Sequence, residues 1–192
     1  MNDINSAGFL CSARQIESPN KDARPKEVGI DLVVIHSISL PPGDYAGRDI
    51  EAFFCNKLDI TKDPFYQGIK DLKVSAHFLI RRDGEVIQFV SCELRAWHAG
   101  TSEFVGKNRC NDFSIGIELE GCDEDPFTDL QYSKLSSLVK TLQCRYPSIT
   151  SKRIVGHSDV SPGRKTDPGP HFDWLRLKNG LKNKKDFLSQ QV

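Results

Sequence analysis

Two histidines and a carboxylate, His36, His157 and Asp167, are the residue types that hold a catalytic zinc and leave its fourth position to water. Zinc accepts such a nitrogen, nitrogen, oxygen set, whereas a purely structural site more often uses cysteine. His157 and Asp167 share one stretch, Gly156-His157-Ser158-Asp159-Val160-Ser161-Pro162-Gly163-Arg164-Lys165-Thr166-Asp167-Pro168-Gly169-Pro170. Its prolines fix φ and remove donors, so the loop has little freedom to lose on ordering and suits polar groups held in fixed geometry. Lys165 stands two residues before Asp167; in an extended segment both side chains point the same way. His36 lies far away in the chain, and spacing alone does not bring it to His157. A plainer reading, of histidines satisfied within a core and a polar surface turn, stays open on these residues alone.

The elements that must position these groups are legible as patterns. Residues 30–36, Ile-Asp-Leu-Val-Val-Ile-His, form a β-branched run of the kind buried on both faces of a sheet, and His36 ends it. The short apolar run 153–156 reads as a second buried strand, ending just before His157. Residues 114–120 alternate: Ile115, Ile117 and Leu119 share one face, Gly116, Glu118 and Glu120 the other. Gly116 beside Glu118 leaves space above the sheet for a ligand. Residues 74–80, containing His77, form a further strand, which turns at Arg82-Asp83-Gly84 and returns over 85–90 as a hairpin. A helix is expected around residues 50–54. A longer one over 128–144 has a capping-box pattern at Thr128 and Gln131, an apolar stripe of Leu135, Leu138, Val139 and Leu142, and Pro147 beyond its end. Residues 59–68 and 97–111 read as loops. Interleaved strands and helices imply a single α/β domain, a central mixed β-sheet flanked by helices. We place that domain at residues 28–178. Residues 1–27, polar and irregular, then wrap it without building its core, and 179–192 form a basic, solvated tail.

Composition narrows the functional classes. A chain of 192 residues with 38% hydrophobic and 27% charged content suits one globular domain. Lys+Arg and Asp+Glu both number 26. That balance argues against nucleic acid or an anionic membrane as partner. No apolar run is long enough to span a membrane. The N-terminus lacks a basic region, and Gly8-Phe9-Leu10-Cys11 is too short for a signal peptide, so a cytoplasmic location is expected. The six cysteines form no C-x-x-C pair and are expected as free thiols.

Several blocks, in order, carry a resemblance. They include His36-Ser37-Ile38-Ser39-Leu40-Pro41-Pro42-Gly43, Val74-Ser75-Ala76-His77, Ile80-Arg81-Arg82-Asp83-Gly84, Trp97-His98-Ala99-Gly100, Gly116-Ile117-Glu118-Leu119-Glu120-Gly121 and Lys165-Thr166-Asp167-Pro168-Gly169-Pro170. Over residues 30–175 the chain resembles the zinc-dependent N-acetylmuramoyl-L-alanine amidases related to phage lysozymes and peptidoglycan-recognition proteins, and most of all the AmpD-type anhydro-N-acetylmuramyl-L-alanine amidases. The resemblance implies zinc held by His36, His157 and Asp167, Glu118 as the catalytic acid/base, and Lys165 as the cation beside the metal. It implies the family's mixed sheet, hydrolysis of the amide joining the lactyl group of muramic acid to L-alanine, and a role in cell-wall recycling. The partner it implies is a small soluble muropeptide, and the enzyme is expected as a monomer.

Ser37, Lys73, Trp97 and Arg109 are the candidate substrate contacts. Ser37 and Lys73 stand where relatives often carry Asn and Arg, while Arg109 could pair bidentately with a substrate carboxylate. His77 is expected as a buried hydrogen-bonding group; His98 fits either the cleft or loop packing. Arg164 is expected to be inert, its replacement by alanine behaving nearly like wild type. Three rivals remain: an exported wall-lytic amidase, a non-catalytic recognition module, which usually lacks a metal ligand, and a zinc protease, whose H-E-x-x-H motif is absent.

Overall fold

In the computed structural model, which describes residues 3–182, two seven-residue strands form the axis of the protein. These are β3 (Leu32–Ile38) and β9 (Ser114–Glu120), parallel and in register from Leu32 opposite Ser114 to Ile38 opposite Glu120. β10 (Ile154–Gly156) extends the sheet beyond β3, also in parallel. On the other side of β9 come β4 (Phe78–Ile80) in parallel, β5 (Val86–Gln88) antiparallel to β4, and β1 (Arg14–Gln15) at the edge. The six strands run β1-β5-β4-β9-β3-β10, a mixed sheet as expected. The smaller strands β2 (Lys21–Ala23) and β6 (Leu94–Ala96) pair with each other, as do β7 (Glu103–Phe104) and β8 (Lys107–Asn108).

Alternation of side chains separates the two faces. Val33, Ile35, Ile115, Ile117 and Leu119 meet α2 (Asp129–Arg145) through Leu135, Leu138, Val139 and Leu142, all essentially buried. Each such side chain contributes about 1.5–3 kcal/mol by leaving water. The Thr128 hydroxyl accepts from the Gln131 N–H at 3.2 Å, and the Gln131 side chain accepts from the Thr128 N–H at 3.0 Å, so the capping box forms. α4 (Trp174–Leu181) packs beside α2 through Leu177. The opposite face is covered near the strand starts by Ala99, Cys110, Phe113 and Val160. α1 (Asp49–Phe54) packs over Leu79 and Ile87 of β4 and β5. The strand ends on this face remain for polar side chains.

The structure revises several local expectations. His36 does not end its strand; β3 continues to Ile38. Strand β4 starts at Phe78; ahead of it the Ser75 N–H donates to the Trp97 carbonyl, while the His77 N–H still donates to the Gly116 carbonyl of β9. Residues 64–68 form a 3₁₀ turn whose Phe65 N–H is capped by Asp63, and β7 and β8 build a hairpin within the expected loop 97–111. The N-terminal segment does help build the core. Ile4 and Leu10 are buried in it, β1 belongs to the main sheet, and Arg14 pairs with both Glu51 and Glu85. Residues 179–181 close α4, and the remainder of the expected tail lies outside the described residues apart from exposed Lys182.

Candidate functional site

Sheet register brings the site together. His36 of β3 lies directly opposite Glu118 of β9, and Gly156 lies opposite Ile35, so His157 emerges next to His36 as the first residue of the short helix α3 (His157–Val160). All three strands are parallel, so these residues share one edge of the sheet, the carboxyl ends where open α/β sheets bind ligands. The loop after α3 returns Asp167 to the same point: the Ser158 N–H donates to the Asp167 carbonyl at 2.9 Å.

Three donor atoms face one another there. His36 Nδ1 lies 3.0 Å from His157 Nδ1 and 3.1 Å from Asp167 Oδ2; His157 Nδ1 lies 3.0 Å from the same oxygen. Tetrahedral zinc with bonds of about 2.0–2.1 Å places its ligand atoms roughly 3.3 Å apart, so this triangle fits a cation bound by two imidazoles and a carboxylate. Burial pushes the His36 imidazole down to about 4, against the pull of Asp167, so His36 is neutral and its lone pair available. The second histidine nitrogens are engaged as well. His157 Nε2–H donates to the Ala99 carbonyl at 3.1 Å, and His36 Nε2 meets His98 Nδ1 at 2.9 Å.

The two glutamates on the inner face of β9 differ sharply. Glu120 accepts from the Ala46 N–H at 3.0 Å, Arg81 at 3.0 Å and the Arg82 N–H at 3.1 Å, which makes it an anchor for the neighbouring loops. The Glu118 side chain makes no hydrogen bond among the described residues, and its Oε2 is buried without a partner. Burial pushes its carboxyl well above the ordinary glutamate range, Asp167 adds to this, and Lys165 opposes it. A buried carboxyl with a free oxygen beside three cation-binding atoms is equipped to take and return a proton.

These groups line a cavity of about 580 Å³, together with Ser37, Lys165 and an apolar wall that includes Phe53, Phe65, Ile69 and Leu72. The Lys165 side chain makes no hydrogen bond or ion pair among the described residues and is free to meet a ligand. Lys73, Trp97 and Arg109 do not line this cavity. Lys73 borders a smaller hollow beside Leu72, of about 170 Å³, Trp97 is half-buried, and Arg109 is exposed with its guanidinium 3.4 Å from Asp112. His77 is fully buried: its Nδ1 accepts from the Gly116 N–H at 3.0 Å and its Nε2 donates to the Leu94 carbonyl at 3.1 Å. The space expected above Gly116 is filled, because a Cβ there would lie 2.4 Å from Cγ of His98.

Arg164 is exposed, yet its partners argue against the expectation that its replacement would behave nearly like wild type. Its guanidinium donates to the carbonyls of Ala99 at 2.6 Å and Thr101 at 2.9 Å, and to the Ser161 hydroxyl at 2.7 Å. It ties the loop carrying Lys165 to the loop that orients His157. The apolar cavity wall and this clamp were missed in the sequence, where exposed Phe65 and Leu72 offered the one available signal: large apolar side chains in polar loops.

Residues 25–170 match the family described as N-acetylmuramoyl-L-alanine amidase. The 1,6-anhydro-N-acetylmuramyl-L-alanine amidase AmpD of Enterobacter cloacae is 54% identical over 170 residues, covering 88% of this chain and 90% of that protein. A crystal structure of a selenomethionine derivative of AmpD superposes with a TM-score of 0.89 at 48% identity, over 92% of this chain and 98% of that one. AmpDh3 from Pseudomonas aeruginosa, in complex with anhydromuramic pentapeptide, superposes with a TM-score of 0.56 at 25% identity, over 91% of this chain and 78% of that one.

Proposed function

This chain belongs to the N-acetylmuramoyl-L-alanine amidase family, and from that premise we propose that zinc is the cation held by His36 Nδ1, His157 Nδ1 and Asp167 Oδ2. The protein is an AmpD-type amidase of peptidoglycan recycling. It hydrolyses the amide between the lactyl group of anhydro-N-acetylmuramic acid and L-alanine. The observation that carries the reading is the triangle of donor atoms beside a buried, unpaired Glu118 oxygen. Bound zinc supplies a water acidified from about 15.7 to near 7 and a Lewis acid for the carbonyl oxygen. Glu118 Oε2 receives the water's proton and returns it to the departing amine nitrogen of L-alanine. The Lys165 ammonium meets the carbonyl oxygen as negative charge grows on it. Loops held by Glu120 and Arg164 keep these groups in place.

The substrate is a soluble anhydromuropeptide, with Ser37 in the cavity as a contact. Lys73, Trp97 and Arg109 are proposed only as contacts for parts of the substrate that extend beyond the cavity. We take residues 28–178 as the catalytic domain, with 1–27 packed on it, acting as a cytoplasmic monomer. Among the described residues no helix is long and apolar enough to cross a membrane, and all six cysteines are free thiols, as expected.

Two measurements test this. Elemental analysis should find one zinc per chain in the wild type and none in His157→Ala; full zinc in that variant refutes the ligand set. Peptide release from soluble anhydromuropeptide should be much faster, per cleavable bond, than release from intact wall, and chelator should stop both. Comparable rates on the two substrates would instead identify a wall-lytic enzyme.

A further inference from the structure

We propose that His98 is a positioning residue that fixes the tautomer and ring orientation of the metal ligand His36, through a polarised hydrogen-bond chain ending on the Cys110 carbonyl. The proposal rests on the metal-bound reading above and deepens it.

A neutral imidazole carries one N–H. His36 can offer a lone pair at Nδ1, toward His157 and Asp167, only if its proton sits on Nε2. That nitrogen lies 2.9 Å from His98 Nδ1, which must therefore accept. His98 then carries its own proton on Nε2, and this nitrogen faces the Ser114 hydroxyl at 3.2 Å. Ser114 has a single proton to give. Its oxygen lies 2.6 Å from the Cys110 carbonyl, which can only accept. The carbonyl thus sets the direction of every bond in the series, from Ser114 through His98 to His36. With the serine proton turned the other way, each step reverses and the His36 proton lands on Nδ1, where it blocks the cation. Such outer partners commonly decide which tautomer a ligating histidine adopts.

The His98 ring is held for this task from three sides. Its backbone N–H donates to Asn111 Oδ1 at 3.2 Å, as does that of Ala99 at 2.8 Å. Its ring stands edge-on to His36, with centroids 5.0 Å apart. The absent side chain of Gly116 leaves the room the ring occupies. The next residue, Ala99, accepts from His157 through its carbonyl, so one loop orients both ligand histidines.

The test uses full-length wild type, His98→Leu and His98→Asn, each titrated with zinc against a chromophoric chelator. Leucine keeps apolar bulk without an acceptor; asparagine can place an oxygen near the position of Nδ1. His98→Leu should bind zinc about 10–100-fold more weakly, and His98→Asn should recover most of that loss. Unchanged affinity in His98→Leu overturns the proposal, and so does an asparagine variant as weak as the leucine one. A wild type that binds no zinc overturns the metal reading itself, and with it this inference. Should His98→Leu fail to fold, nitrogen NMR of the zinc-stripped chains decides. The wild type should show His36 protonated on Nε2, and Ser114→Ala a mixture of tautomers; a pure Nε2–H form in Ser114→Ala overturns the proposal.

Discussion

Replacing Glu118 by glutamine should leave zinc in place and lower turnover by about 10²–10⁴-fold, the range general acid–base groups contribute. Glu118 Oε2 is buried with no partner among the described residues, beside a cluster of His36, His157 and Asp167 that could hold a cation without it. Glutamine keeps the shape and loses the ability to carry a proton. Loss of zinc in Glu118→Gln would make Glu118 a ligand and redraw the site. The same variant has a second signature in metal-free protein. Burial raises the carboxyl well above its ordinary 4.5, so the folded chain keeps a proton that the unfolded chain has lost. Stability contributed by that carboxyl is therefore present below pH 4.5 and declines as pH rises toward the folded value. Zinc-stripped wild type should lose stability over that interval relative to zinc-stripped Glu118→Gln; parallel pH profiles would show Glu118 to be solvated.

The face that Glu118 occupies could be read in the sequence because a strand's alternation is local, although it assigns Glu120 to the same face and the resemblance alone chose between them. The pattern of residues 114–120 assigns each side chain to a face without reference to any partner, and the Thr128–Gln131 cap and the Asp83-Gly84 turn are equally local. Convergence of His36 with His157 needed something non-local, the parallel register of β10, β3 and β9, and the family resemblance supplied it. The N-terminal segment misled because its composition is polar while two isolated side chains, Ile4 and Leu10, do the burying, and the Arg14 pairs lie far along the chain. Arg164 misled for the same reason. An arginine in a glycine- and proline-rich loop looks solvated, and its acceptors, the carbonyls of Ala99 and Thr101, leave no mark in the residue types of a distant loop. The role of His98 was hidden by its neighbour: a glycine in a strand reads as open space, and only the folded chain reveals which ring fills it.

Lys165→Ala should retain zinc, melt near the wild-type temperature and lose about 10²–10³ in turnover, the usual loss on removing one oxyanion donor. Lys165 and Asp167 both line the cavity. The ammonium has no partner of its own among the described residues, yet its charge is felt at Glu118 and at His36. A structural lysine would be expected to hold an acceptor; this one lines the cavity that also holds Glu118, His36, His157 and Asp167. Removing it should therefore cost little stability, within about ±0.5 kcal/mol for a surface substitution without packing or capping duties. The loss should appear in kcat more than in KM, because charge on the carbonyl oxygen grows only on the way to the transition state. Arg164 cannot serve as the neutral comparison, since its three donated bonds fix the loop that carries Lys165. Lys152, exposed on the far side of β10's approach and outside the cavity, is the appropriate control, and Lys152→Ala should turn over like wild type. A Lys165→Ala enzyme keeping more than about a third of wild-type turnover would remove the lysine from the reaction and leave the carbonyl oxygen to the cation alone.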